Sequence, residues 1–284
     1  MKIKDFPNRK GFINNMNIYV LGSDKRTAYC AAVLKQTYKT GVILCDNAEC
    51  IYQPDAVVLP YVSFKKGRGI NTLDGVDAWD VLKKMPAGSK LFAGMVYDGL
   101  KEECEEKGIA LYDFFEDENL TLENADLTAE GAIEMIMKNT DIAIKGMKVA
   151  LTGFGRVTRS LSKRLSSLGA EITVLARKPY ARIEAKSLGY KPAGITDEKA
   201  VESADVIVNT VPSLVLTSQM IKSAKCCRYI LDLASAPFGT DFAAAEKAGI
   251  KAETAPGLPA RCAPETAGRL IADYIVSVLE RGGE

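Results

Sequence analysis

The stretch that most constrains the fold is Lys148-Val149-Ala150-Leu151-Thr152, an apolar strand pattern that runs straight into Gly153-Phe154-Gly155-Arg156-Val157-Thr158. A helical pattern follows and ends near Leu168-Gly169, and a second strand pattern, Glu171 to Leu175, begins at once. Strand, tight glycine turn, helix and strand in this order close a βαβ unit with parallel strands. Gly153 permits the turn. Gly155 lets an anionic group approach the backbone N–H groups at the helix start, with Phe154, Arg156 and Val157 completing the loop. A lone glycine pair is weak evidence, because it also serves as a plain structural turn; the strand on each side raises it to a dinucleotide-binding fingerprint. Thr158 occupies the third glycine position, which predicts slightly looser helix–strand packing.

The rest of the chain repeats the same alternation. Before the fingerprint, strands are read at 18–21, 42–44, 56–59, 90–93 and 109–112, with a helix over 25–39. A helical spacing then runs from Thr128, a predicted N-cap, to about Asp141. Further strands are read at 205–209, 229–233 and 251–253, and an amphipathic helix over 264–281 opens on Pro264. The predicted class is α/β: a doubly wound parallel-sheet Rossmann domain plus a second α/β, flavodoxin-like substrate domain. Residues 1–127 are expected to form the substrate domain and 128–261 the nucleotide-binding domain, with helix 264–281 packing back on the first.

Composition limits the chemistry. None of the 284 residues is histidine, which removes serine–histidine and cysteine–histidine nucleophiles and a histidine base. Proton transfer is left to a carboxylate, Lys, Tyr, Cys or water. A net charge of +1 gives no nucleic-acid footprint, and no apolar run reaches the ~20 residues of a membrane span. Seven cysteines at irregular spacings, with no histidine to complete a zinc site, predict no metal centre and free thiols in a reducing cytosol. A cytoplasmic protein that binds neither nucleic acid nor membrane is expected.

Ligands of doubly wound sheets lie beyond the carboxyl ends of the strands. After the second strand of the fingerprint, where an NAD site places an acid, the chain has Ala176-Arg177-Lys178. Two cations there suit a 2′-phosphate and so NADP, with NAD still open; the alternative is a solvated Arg-Lys pair. Three other strand ends carry Asn209-Thr210-Val211-Pro212, Ala234-Ser235 and Pro256-Gly257, read as contacts of the cofactor cleft or as loop punctuation. In the first domain, Gly22-Ser23-Asp24-Lys25-Arg26 also joins a strand to a helix and reads either as an anion site or as a capped helix with solvated charges.

Taken together, several segments resemble the dipicolinate synthase A-subunit family. They are Thr128 to Ile133, Gly153 to Arg156, Asn209 to Leu216, Leu231 to Ser235, Gly239 to Phe242, Ala255 to Pro259, Ala263-Pro264 and Thr266 to Gly268, with Gly22 to Arg26 similar to the family's first-domain turn. Ser23, Thr158 and Ala260-Arg261-Cys262 depart from the pattern. The resemblance implies NADP-linked oxidation of dihydrodipicolinate to pyridine-2,6-dicarboxylate in the mother cell of a sporulating bacterium. It further implies a flavoprotein-like second subunit, together with the domain arrangement of formate- and glycerate-type dehydrogenases and adenosylhomocysteinase; a homo-oligomer is expected. On that reading Arg26 is the first choice to clamp the small dicarboxylate, beside Gly22, with Lys65, Arg68 and Arg261 behind it. Asp24 and Glu265 are the candidate proton acceptors, although Glu265 reads first as a first-turn acid that suits the helix dipole. Two other readings stay open: another NAD(P)-dependent oxidoreductase of a small carboxylic acid, and a nucleotide-binding, non-catalytic subunit of a two-chain enzyme.

Overall fold

The computed structural model describes residues 16–38, 41–64 and 67–281. The described chain divides into two units: one reaches Thr121 and resumes at Pro264, and the other is Leu122–Ala263. The first holds β1 (Ile18–Leu21), α1 (Lys25–Tyr38), β2 (Val42–Cys45), β3 (Ala56–Val58), α2 (Ala78–Leu82), β4 (Lys90–Ala93), α3 (Leu100–Glu106) and β5 (Ala110–Asp113). Helix α4 (Glu118–Asn139) contains the division. The second unit continues with β6 (Lys148–Thr152), α5 (Arg156–Ser167), β7 (Glu171–Ala176), α6 (Pro179–Ser187), β8 (Lys191–Gly194), a 3₁₀ turn over Glu198–Val201 and β9 (Val206–Asn209). Then come α7 (Ser218–Ser223), β10 (Tyr229–Asp232), α8 (Phe242–Lys247), β11 (Lys251–Thr254) and α9 (Leu258–Cys262), before α10 (Pro264–Arg281) returns to the first unit.

Both sheets are parallel throughout. The first has the order β2-β1-β3-β4-β5, the flavodoxin-like arrangement, and the second β11-β10-β9-β6-β7-β8, the Rossmann arrangement. Strand alternation decides which helices cover which face. Ile18 and Val20 of β1 pack with Leu34 of α1 and with Ile271, Ile275 and Leu279 of α10. Tyr19 and Leu21 point the other way, into a cluster with Val81 and Leu82 of α2 and Leu100 of α3. Helix α10 lies close on α1 because Gly268 has no side chain: a Cβ there would fall 2.6 Å from Arg26 O and 2.8 Å from Cys30 N. In the second unit, Val149, Leu151, Val206 and Val208 face α4, α5 and α6, while Ala150 and Ile207 face α7 and α8. In each order the sheet reverses at one point, between β1 and β3 and between β6 and β9, and those two strand ends are where ligands are expected.

Several local expectations are corrected. Thr128 is no N-cap: Asp117 Oδ1 accepts from Leu120 N at 2.7 Å ahead of α4, and Thr128 Oγ1 bonds back to Asn124 O inside the helix. Strand β8 escapes a period-based reading because Pro192 and Gly194 interrupt it; it pairs with β7 alone, at the edge where proline is tolerated. Helix α9 stands between Gly257 and the final helix instead of an open loop. Cys45 and Cys50 are joined in a disulfide, against the expectation of free thiols throughout, since the turn after β2 brings their Cα atoms to 6.6 Å. Lys65 lies outside the described residues. Among the described residues, no helix is long and apolar enough to cross a membrane.

Candidate active site

The turn after β6 is built for close approach. Gly153 has φ +86°, and a Cβ on it would sit 2.7 Å from Thr210 Oγ1 and 3.0 Å from Val211 Cγ2. Packing and backbone conformation therefore both demand glycine at 153. Gly155 is different. Its φ is −88°, open to any residue, and a Cβ there would meet nothing within 4 Å. The protein's own packing gives no reason for glycine at 155, and the turn stays open to a group approaching its backbone. Gly155 is also the N-cap of α5, with no side-chain capping bond, so the first N–H groups of that helix are presented at the turn. Arg156 is exposed, Val157 half-buried and Phe154 buried. The fit to a pyrophosphate rests on this cradle.

A cavity of about 440 Å³ opens beside the turn. Of the residues expected at the cofactor, Gly153, Phe154, Gly155, Arg177, Lys178 and Val211 line it. Arg159, Tyr180, Ile195 and Ser213 line it too, and nothing local in the sequence marks them. The cations are arranged by their neighbours. Lys178 Nζ lies 5.5 Å from the Tyr180 ring centre, and the Arg159 guanidinium lies 5.1 Å from that of Phe154. Arg159 also makes a two-pronged pair with Glu184, at 2.9 Å and 2.7 Å, and the Arg159 hydrogen bond holds the Glu184 carboxyl below its usual range. Arg182 donates from Nη1 to both Ala176 O and Arg177 O, each at 2.8 Å.

Beneath the cavity floor the strand ends are tied by a buried polar clasp. Thr210 Oγ1 donates to Thr152 O at 2.8 Å, so in its 2.9 Å contact with Thr158 Oγ1 the proton comes from Thr158. Thr158 is fully buried; a hydrogen bond closes the space where looser packing was expected. The Asn209 side chain is fully engaged. Its Oδ1 accepts from Thr152 Oγ1 and from Val211 N, and its Nδ2 donates to Val211 O and to Asp232 Oδ1. Asn209 therefore shapes the loop and has no side-chain valence left for a ligand. Asp232, which sequence reasoning passed over, accepts from Asn209 Nδ2, Ala234 N, Gly239 N and Thr240 Oγ1, at 2.7–3.0 Å. It is 1% exposed, and these four donors replace the water it lost. Gly239 is wedged among Asn209 Nδ2, Val211 O and Ser213 O, all within 2.7 Å of where a Cβ would be. The clasp fixes Thr210 and Val211 on one strand end and Ala234 on the next. Ser235, Pro212, Pro256 and Gly257 lie on the loops that leave these strands, and all four are exposed.

The reversal point of the other sheet holds Gly22, Asp24 and Arg26. Gly22 has φ +140°, and a Cβ would fall 2.8 Å from Thr27 Oγ1. Asp24 Oδ1 caps α1 by accepting from Thr27 N at 2.7 Å, and its Oδ2 stands 3.5 Å from Arg26 Nη2. Arg26 is 6% exposed, with its guanidinium 5.1 Å from the ring centre of Tyr61, which follows β3. Its Nε is a buried donor with no hydrogen-bond partner. Burial pushes the guanidinium down from its ordinary value while Asp24 pulls the other way. This is an incompletely satisfied buried cation at a strand-end switch point.

The other expected site residues differ in their surroundings. Arg68 pairs with Glu103 at 2.5 Å and lies near the rings of Trp79 and Tyr97; its hydrogen bonds to Tyr97 and Glu103 raise it above its ordinary value. Arg261 is exposed on α9, with Nη2 4.0 Å from Met135 Sδ. Glu265, in the first turn of α10, pairs with Arg269 at 3.6 Å.

Comparison with known proteins decides what this geometry belongs to. The dipicolinate synthase A-subunit of Bacillus subtilis (strain 168) is 35% identical over 248 residues, covering 84% of this chain and 83% of the relative. The chain belongs to the dipicolinate synthase A-subunit family. The crystal structure of the dipicolinate synthase A-subunit from Bacillus halodurans superposes with a TM-score of 0.80 at 29% identity, covering 95% of this chain and 99% of that one. Residues 122–228 match the D-isomer specific 2-hydroxyacid dehydrogenase NAD binding domain family. The apo-structure of D-lactate dehydrogenase from Escherichia coli, 15% identical with a TM-score of 0.67 over 94% of this chain and 97% of that one, shares the fold. This member of the family is thus an oxidoreductase with a nicotinamide-dinucleotide-binding domain in its second unit.

Proposed function

We propose that the chain is the subunit of a dipicolinate synthase that oxidises dihydrodipicolinate to pyridine-2,6-dicarboxylate with NADP, in the mother cell of a sporulating bacterium. What carries the reading is a built anion site at each switch point. One is the glycine turn after β6, with the acid-free cationic loop after β7 beside it, and the other is the buried, part-satisfied Arg26 after β1. Arg177 and Lys178 supply charge for a 2′-phosphate where an NAD site would place a carboxylate. Gly155 and the N-terminus of α5 take the pyrophosphate. When bound, the nicotinamide supplies a hydride acceptor. Arg26 receives one carboxylate of the substrate through its guanidinium fork, and Asp24 holds that fork in place. The Tyr61 ring beside the guanidinium supports a planar ligand.

The reaction takes a hydride and a proton from the dihydropyridine and leaves an aromatic ring, so no strong base is required; the proton goes to water. On this reading Asp24 orients Arg26, and Glu265, Arg68 and Arg261 carry no step. The name of the Bacillus subtilis relative marks it as one component of a larger enzyme, and we propose a second, flavoprotein-like component here as well. The test is turnover of dihydrodipicolinate with NADP, followed by the ultraviolet absorption of the pyridine product, for the purified chain alone and with that partner. Product formed in either mixture supports the assignment, and product only with both chains assigns the chemistry to the pair. NADP reduction with a keto acid as product would replace this reading with a 2-hydroxyacid oxidation.

A further inference from the structure

Resting on the NADP reading, we infer that Arg182 is a specificity-determining positioning residue, which makes the turn after β7 receptive to a 2′-phosphate without touching it. Ala176 and Arg177 both line the cavity. Their carbonyl oxygens are the negative ends of two peptide dipoles at the end of β7, where the adenosine ribose of a dinucleotide lies. Left open, two carbonyls at that place accept hydrogen bonds from a 2′-hydroxyl and repel a phosphate. Arg182, one turn into α6, covers both with one amino group, at 2.8 Å and 2.8 Å. The guanidinium cancels the carbonyl charge and fixes the backbone that carries Arg177 and Lys178.

The rest of α6 supports the arrangement. Pro179 starts the helix, and Lys178, at its N-cap position, lines the cavity with its ammonium 5.5 Å from the Tyr180 ring centre. Glu184, the acid on this helix, is already held by Arg159 and so does not compete for Arg182. Arg182 is half-buried and is absent from the cavity lining among the described residues. Its effect therefore passes through the two carbonyls and the turn they belong to.

The test compares the parent with Arg182→Met and Arg182→Lys by calorimetric titration with NADP, NAD, 2′,5′-ADP and AMP, with melting temperatures recorded. In the parent, NADP and 2′,5′-ADP are expected to bind more tightly than their unphosphorylated counterparts. Arg182→Met should lose about tenfold in affinity for the two 2′-phosphorylated ligands and change less than about twofold for NAD and AMP. Arg182→Lys keeps the charge but not the paired geometry, and should fall between. Equal losses for all four ligands, or an unchanged preference in a folded Arg182→Met protein, overturn the inference while leaving the NADP reading standing. A parent that does not prefer the phosphorylated ligands overturns the NADP reading itself, and the role of Arg182 falls with it. Should Arg182→Met fail to fold, the ratio measured on Arg182→Lys decides in the same way.

Discussion

A methyl group on residue 153 would stand 2.7 Å from Thr210 Oγ1, on a backbone at φ +86°. Gly153→Ala is therefore expected to lower stability by about 1–3 kcal/mol and to weaken dinucleotide binding with it. Thermal melting and calorimetry read both. Arg26 is a residue of the opposite kind, unfinished by the fold instead of fixed by it. Arg26→Met removes a buried charge whose Nε has no partner, so the fold should tolerate it. Affinity for pyridine-2,6-dicarboxylate should fall by about tenfold or more, the value of a charge-assisted pair, while NADP affinity stays as it was. A variant that still binds the dicarboxylate would remove Arg26 from the site. The cysteines divide by burial. Burial pushes Cys30 up to about 12 and Cys104 up to about 11, so both stay protonated at pH 8. Because these values are raised on folding, the stability from burying neutral thiols is full below the ordinary thiol range and is lost only as pH rises towards those values. A thiol reagent at pH 8 should label exposed Cys226 first. The denatured, unreduced chain should show the five free thiols Cys30, Cys104, Cys226, Cys227 and Cys262, and reduction should release Cys45 and Cys50.

At the scale of elements, the clasp at Asp232 joins β9, β10 and the loop that closes over them. Asp232→Ala strands three buried donors and the half-buried Ala234 N–H, each buried one worth about 1–3 kcal/mol, and should cost at least about 3 kcal/mol in a denaturant titration. A loss under about 1 kcal/mol would show that water replaces the carboxylate. The contrast with the glycine turn shows what sequence can and cannot disclose. Strand β6, Gly153 and Gly155 and helix α5 are contiguous, so their periods and spacing expose them to direct reading. Asp232 meets Asn209 across 23 residues, and Arg26 meets Tyr61 only because β1 and β3 are neighbours in the sheet. Such partnerships follow from strand order, which no local pattern contains. The same holds for the other candidate clamps: the pairing of Arg68 with Glu103 and the exposure of Arg261 on α9 follow from the fold and not from any local pattern. The start of α4 is hidden for another reason, because a threonine at a helical spacing imitates a cap while Asp117 supplies the real one.

For the molecule as a whole, two parallel sheets of different order each offer one reversal point, and each reversal point carries residues suited to an anion. That is why the α/β class and the dinucleotide turn follow from alternation and glycine spacing, while the choice among oxidoreductases needed the family relation. It also separates the glycine pair: the protein's own packing requires Gly153 and does not require Gly155. A side chain at 155 should leave the fold intact and fill the space meant for a pyrophosphate. The most direct measurement is calorimetric titration of NADP into the parent chain and into Gly155→Val, with melting temperatures measured alongside. The account predicts saturable binding to the parent, and a variant that melts as the parent does yet gives no binding heat. A parent without binding heat, or a folded Gly155→Val protein that binds NADP as the parent does, would contradict it.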